Sequence, residues 1–231
     1  MATIPRSTRK TRIVRSAVLA AVALGAPIAG AHGQFAVGLN VGPSLTNLSG
    51  SYIDDSELTA GIYLGAIGDW QISRSWAVEF GFSSVQKGAF SVQAPGVDGA
   101  WDVKTNYLQI PLRVRYLIPF ADGTWVFGPF AGVSYSFAGG CKIRAPGAPV
   151  FDDECTEERA LGPSSGTDFM YSFGIVLDRI FGTSAFGVDI RYARGTTDLF
   201  TAAADEGLTS KTTAIDIKFR IIFPHFGESR W

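Results

Sequence analysis

The sequence is poor in the residue types that carry catalysis or hold metal ions. It contains two histidines, His32 and His225, and two cysteines, Cys141 and Cys155. No histidine accompanies the scattered serines on a predicted strand, so a nucleophile with its base is not expected. Two cysteines without further histidine or cysteine ligands argue against a metal centre. We therefore expect no catalytic residues, no metal and no cofactor, and we do not expect an enzyme.

A long apolar run is lacking after residue 33. The N-terminal segment has five basic residues, then the apolar stretch Ser16–Gly30, then small residues, which is the layout of a secretory signal peptide. Cleavage after Ala31 or after Gly33 fits this layout. The alternative is an uncleaved anchor helix, but the apolar stretch is shorter than the ~20 residues that a span requires. The sequence thus predicts a signal peptide over residues 1–33 and a separate domain over residues 34–231.

A surplus of positive charge is also missing from the predicted domain. Five of the 20 basic residues and none of the 21 acidic ones precede Gln34, so the remainder carries 15 − 21 = −6 charges. Because nucleic acid binding needs a basic surface, no nucleic acid partner is expected.

What the chain does have is alternation, most clearly in Asn106–Pro119. Every second residue from Leu108 to Ile118 is apolar or aromatic and uncharged, whereas the residues between them include Arg113 and Arg115. A period of two places these sets on opposite faces of one strand. The apolar face is long enough for a tilted transmembrane strand, which needs about 9–11 residues. One face in lipid and the other in a polar lumen accounts for both sets.

The same alternation predicts eight strands, at about residues 35–46, 58–70, 76–87, 106–119, 124–138, 167–180, 184–194 and 212–223. Long connections alternate with short ones throughout, as in outer-membrane barrels with short periplasmic turns and long external loops. The expected fold is all-β: an eight-stranded antiparallel up-and-down transmembrane β-barrel, with both termini on the periplasmic side. Trp70, Trp76, Trp125 and Trp231 fall at the predicted periplasmic rim, where indole rings favour the interface. Trp101 is the exception, in a long loop.

The segment Tyr107–Leu112, with the sequence YLQIPL, resembles a characteristic strand of the PorT-like outer-membrane β-barrel domain family. Gln109 stands where that family usually has glutamate, so no role of a carboxylate is carried over. The resemblance implies the barrel fold and a location in the outer membrane of the Gram-negative cell envelope. It also implies insertion by the barrel-assembly machinery, with Phe223 or Trp231 as the terminal aromatic residue.

Charged residues on the predicted inner faces form the candidate site. They are Glu79, Arg113, Arg115, Asp178, Asp189, Arg191, Asp216, Lys218 and Arg220. Because eight strands enclose a lumen that side chains can fill, we expect an ion-pair network that closes the barrel. Within it, Arg113 and Arg115 are expected to pair with Glu79, and Lys218 and Arg220 with Asp189. The alternative is a gate or a small anion site at the surplus arginine.

The longest predicted outer loop contains Cys141 and Cys155 and an acidic run, Asp152–Glu154, with Glu157 and Glu158 nearby. A Cys141–Cys155 disulfide suits an exported protein. The acidic run lacks the glycine and the alternating spacing of a calcium-binding EF-hand loop, which favours a solvated loop.

Two functions are compatible with these features. The first is a structural or interaction barrel whose outer loops contact ligands, an extracellular or envelope protein partner, or the lipid and lipopolysaccharide of the outer membrane. The second is a narrow porin for ions or very small solutes. The expected lumen charges favour the first.

Overall fold

The computed structural model describes residues 34–51, 53, 55–93, 99–144, 153–154, 166–198 and 208–223. The predicted signal peptide, residues 1–33, lies outside the described residues and stays a prediction. In the described part of the chain, no helix is long and apolar enough to cross a membrane. The described residues form strands joined by turns, within the unit Gly33–Trp231.

Eight long strands make up the barrel, as the alternation predicts. They are β1 (Gln34–Ser49), β2 (Thr59–Gln71), β3 (Trp76–Gln93), β4 (Trp101–Tyr116), β5 (Trp125–Arg144), β6 (Thr167–Phe181), β7 (Ser184–Gly195) and β8 (Lys211–Ile222). Three short strands extend the sheet. Asp55–Glu57 pairs with β3, and both Ile118–Phe120 and Asp153–Glu154 pair with β5. The strands β3 and β5 run about six residues beyond their predicted ends at the long-loop side.

Each long strand pairs antiparallel with its neighbours in chain order, and β1 also pairs with β8. Leu39 lies opposite Ile221, and Val41 lies opposite Phe219, which closes the ring. Closure pairs the backbone groups of every long strand on both sides, as a membrane-spanning sheet requires. The fold class predicted from the sequence is confirmed.

The register around the ring fixes the size of the barrel. A path that follows directly opposed residues from β1 to β8 and back to β1 starts at Val37 and ends at Asn47, a displacement of 47 − 37 = 10 residues. With a rise of about 3.3 Å per residue and a strand spacing of about 4.8 Å, this shear gives a tilt of about 40° and a backbone radius of about 8 Å. Side chains that point inward from such a wall meet in the middle of the lumen.

The two faces of each strand differ as the alternation predicts. On β4, Leu112 is 50% exposed on the outer face, whereas the next residue, Arg113, is 4% exposed inside the barrel. The outer face carries large apolar side chains on all eight strands, which suits contact with lipid.

Aromatic side chains mark the end of the barrel that has the short connections, called here the short-turn end. Trp70 and Trp76 are exposed there, the Trp76 ring packs edge-to-face against Tyr116, and Trp125 stacks on Phe120. Trp101 lies at the opposite end, the long-loop end, and Trp231 lies outside the described residues. These aromatic residues fit an interfacial belt.

Candidate functional site in the barrel lumen

Among the residues that the structure describes, twelve charged side chains are buried inside the barrel. The basic ones are Lys87, Arg113, Arg115, Arg191, Lys218 and Arg220, and the acidic ones are Asp69, Glu79, Asp168, Asp178, Asp189 and Asp216. All nine residues singled out from the sequence are among them. Asp69, Lys87 and Asp168 were missed, although the same alternation, continued along their strands, turns them inward. With these three included, six basic residues balance six acidic ones, so the surplus arginine on which an anion site depended disappears.

Ten of the twelve form ion pairs and are called here the charge network; Lys87 and Asp168 are the other two. Part of the network joins residues that face each other on adjacent strands. Glu79 lies opposite Arg113 and contacts its guanidinium group. Lys218 lies opposite Asp189, with 3.2 Å between Nζ and Oδ2. These two pairings were predicted from strand order.

Arg191 and Asp216 form the third pair of this kind, between β7 and β8. The Nε group of Arg191 donates a hydrogen bond to Asp216 at 2.6 Å, and its Nη2 group donates to Gln109 across the lumen at 3.0 Å. Gln109 also donates to Ser136 at 3.0 Å. Gln109 is therefore a neutral link at the edge of the charge network.

The arginines also bridge strands that are not neighbours. Arg113 on β4 reaches Asp189 on β7 at 2.5 Å. Arg115 contacts Asp69 on β2 and Asp178 on β6, the latter at 2.7 Å, and not Glu79 as predicted. An arginine has five donors in a planar fork, which lets one guanidinium group hold carboxylates from two directions.

Arg220 likewise departs from its predicted partner. It lies 2.8 Å from Glu79, 3.3 Å from Asp178 and 3.4 Å from Asp69, instead of contacting Asp189. Asp69 and Glu79 face each other on β2 and β3, where two like charges would repel. Arg220 and Arg115 lie between carboxylates of this cluster and offset that repulsion.

Aromatic rings fill the space between the charges. The Tyr63 ring lies under both Arg191 and Lys218, at 5.2 Å and 4.6 Å from the ring centre, and the Phe130 ring lies 4.4 Å from the Arg113 guanidinium group. Cations over aromatic faces are stabilised by the ring quadrupole, most strongly when desolvated.

Apolar side chains border the lumen charges at both ends. At the short-turn end, Leu117, Val126, Ile180 and Ile222 line a cavity of about 10 Å³ beside Arg115, with room for about one water molecule. At the long-loop end an apolar cap of Leu48, Ala89, Val92, Val103 and Ile143 is fully buried, with Trp101 and Leu208 packed against it. In the described part of the barrel, buried side chains therefore point into the lumen from the short-turn end to the long-loop end.

The loop predictions fall mostly beyond what the structure describes. Cys141 lies in β5, but Cys155 lies outside the described residues, so the disulfide stays a prediction. Of the acidic run, Asp153 and Glu154 form a short strand paired with Ile143 and Lys142, whereas residues 152, 157 and 158 are not described. Within the described residues, no group of three or more histidine, cysteine or acidic side chains could hold a metal ion.

The sequence family called outer membrane protein beta-barrel domain matches residues 16–223. The chain belongs to this family. Together with the closed ring of eight strands, this membership identifies a small β-barrel protein of the outer membrane, whose lumen is occupied by buried ion pairs. No curated protein matches the chain.

Three solved structures are similar to this chain at low sequence identity. Neisserial surface protein A has a TM-score of 0.44 at 10% identity, over 82% of this chain and 97% of that one. The outer membrane protein OprG from Pseudomonas aeruginosa has a TM-score of 0.45 at 14% identity, over 84% and 95%. The attachment invasion locus protein Ail of Yersinia pestis has a TM-score of 0.39 at 13% identity, over 81% and 98%.

Proposed function

We propose that this outer-membrane protein is a structural and interaction barrel, and that its activity lies in the surfaces it presents at the long-loop end. The observation that supports this proposal is the charge network, in which ten buried side chains are joined within and across the lumen. Opening a path would separate oppositely charged groups in a region of low dielectric constant, which is costly. A lumen of this kind is suited to rigidity rather than to transport.

The outer face at the long-loop end carries basic side chains, which suits an anionic partner. Lys104, Lys142, Arg194 and Lys211 lie on that face, directly beyond the band of apolar side chains. Basic side chains at headgroup level attract anionic lipids. We therefore propose that this rim contacts phosphate groups of lipopolysaccharide, with the long loops available to an extracellular or envelope protein partner.

The narrower assignments belong to the same proposal. The Tyr107–Leu112 segment favours the PorT-like group within the family, and the short-turn end would face the periplasm. The N-terminal pattern favours export by a signal peptide, and the alternating final strand favours recognition by the barrel-assembly machinery. We propose no cofactor and no catalytic role.

Conductance in planar bilayers tests the closed-barrel function. Purified protein lacking residues 1–33 should insert without steady ion conductance, and liposomes that contain it should not swell in solutions of small sugars or salts. Steady single-channel steps from the wild type would instead support the narrow porin.

Vesicle binding tests the lipid partner. Arg194→Gln combined with Lys211→Gln should weaken association with lipopolysaccharide, and Arg179→Gln, at the exposed surface of the short-turn end, should leave it unchanged. Equal binding by the wild type and the rim variant would overturn the proposed contact.

A further inference from the structure

Two charged side chains of the lumen stay apart from the charge network. Lys87 on β3 and Asp168 on β6 lie between that network and the apolar cap, with Thr59 on β2 and Thr105 on β4 turned into the same region. Lys87 and Thr105 face each other across β3 and β4. These four residues are called here the upper layer.

Lys87 has unusually weak partners for a buried ammonium group. Its side chain is 2% exposed, its Nζ atom lies 2.7 Å from the sulfur of Met170, and the centre of the Tyr107 ring is 5.0 Å away. Among the described residues no carboxylate lies within ion-pair distance of it. A thioether is a weak acceptor and an ammonium group has three donors, so most of its hydrogen-bonding capacity is unused.

Asp168 is a buried carboxylate that likewise lacks an ion-pair partner. It is 6% exposed and forms no ion pair among the described residues, and its one polar neighbour of note is Thr197. Within the described part of the chain, the hydroxyl group of Thr59 is buried without a hydrogen-bond partner, and that of Thr105 lies beside Tyr107. Burying two charges without an ion pair, beside a hydroxyl group without a partner, is strongly unfavourable, and buried polar groups in this position normally bind ordered water.

The opposite signs of the two charges restrict what can lie between them. Lys87 and Asp168 interact electrostatically across the lumen without touching. A free anion would be repelled by Asp168, and a free cation by Lys87. Water both accepts from an ammonium group and donates to a carboxylate, and it can also bond to hydroxyl groups.

We propose that the upper layer is an internal water-binding site, in which ordered water joins Lys87, Asp168, Thr59 and Thr105 beneath the apolar cap. The lumen then has two tiers. The charge network is joined directly and forms the barrier to ions, whereas the upper layer is joined through solvent. This inference rests on the closed lumen proposed above.

Threonine-to-valine substitutions test the water site, because they remove a hydroxyl group at nearly constant shape. If water bonds to Thr59, then Thr59→Val lowers the urea midpoint of unfolding. If the layer is dry, removal of an unpaired buried hydroxyl group leaves the midpoint unchanged or raises it, which would overturn the proposal. Thr46→Val is the matched control, since its hydroxyl group bonds to the backbone of Gly88 and its loss lowers the midpoint in either case.

A crystal structure of the wild type that resolves ordered solvent is a second test of the water site, and it does not depend on variants. Water bridging Lys87 Nζ to the Asp168 carboxylate is the expected result. A direct ion pair between these two groups, or apolar atoms between them, would refute the site. Bilayer conductance distinguishes this failure from that of the proposed function: a conducting wild type contradicts the closed barrel, whatever the threonine variants show.

Discussion

The charge network and the upper layer occupy the same lumen, yet they contain charge in different ways. In the network, Arg113 and Arg220 each reach carboxylates on more than one strand. In the upper layer, Lys87 and Asp168 are equally buried but form no ion pair. Burial alone therefore does not cause charged groups to form ion pairs. The arginines can bridge the lumen because their side chains are long and their forked head groups have several donors.

The largest effect is expected from breaking the network. Glu79→Ala removes a carboxylate shared by Arg113 and Arg220 and leaves their charges undercompensated in the barrel. It should lower the free energy of unfolding by about 3–5 kcal/mol. Urea titration in lipid measures this. Ser83→Ala on the same inward face of β3 is the control, with an expected loss of about 1 kcal/mol or less, and equal losses for both variants would contradict a special role for the carboxylate.

The outer face of β4 allows a comparison between two depths in the membrane. Leu112→Arg places a charge against lipid near the middle of the membrane and should cost ~2–4 kcal/mol of barrel stability. Asn106→Arg lies on the same face of β4 but near the long-loop rim, where the cost should fall to about 0–1 kcal/mol. Folding titrations in lipid compare the two. Similar costs at both depths would mean that this face does not span the bilayer.

The same substitution, a carboxylate to an amide, can be made in each of the two tiers. Asp189→Asn removes a carboxylate that contacts Arg113 and Lys218, and should cost about 3 kcal/mol. Asp168→Asn removes one that contacts no basic group, and should cost about 1 kcal/mol or less because water screens the pair. The urea midpoints of unfolding of the two variants measure this difference in cost. A cost at Asp168 as large as that at Asp189 would erase the distinction between the tiers.

The smallest effect on the barrel is expected from the predicted Cys141–Cys155 disulfide. The bond would close a loop beyond the barrel, whose stability comes from the backbone ladder in lipid. Cys141→Ser should therefore leave folding into the membrane unchanged. Peptide mass mapping without reductant tests the bond itself, and free thiols in freshly isolated outer membranes would refute it.

The sequence predicts the faces of this barrel well and its cross-lumen contacts poorly. A period of two is a local property, so Leu112 and Arg113 could be assigned to lipid and lumen without knowledge of any other strand. The pairs Glu79–Arg113 and Lys218–Asp189 follow from strand order, because adjacent strands are neighbours in sequence as well. The same period of two assigns Asp69, Lys87 and Asp168 to the lumen as well.

The partners of Arg115 and Arg220 could not be found in this way. They depend on the shear of ten residues, which sets the strand tilt and brings β4 close to Asp69 and β8 close to Glu79 across the lumen. No local pattern encodes shear, since it is a property of the closed ring. The extra length of β3 and β5 also lay beyond prediction, because the alternation there is interrupted by irregular pairing near Ala89 and Asn106.

Ion conductance of the double variant Glu79→Ala/Asp189→Ala tests the closed lumen most directly. This variant removes both carboxylates that Arg113 contacts, while the pairs Arg115–Asp178 and Arg191–Asp216 remain. The near-isosteric variant Glu79→Gln/Asp189→Asn controls for lost volume. In planar bilayers the wild type should hold no steady current, and both double variants should leak ions. A wild type that already conducts, with double variants that conduct no more, would contradict the closure of the lumen by its buried charges.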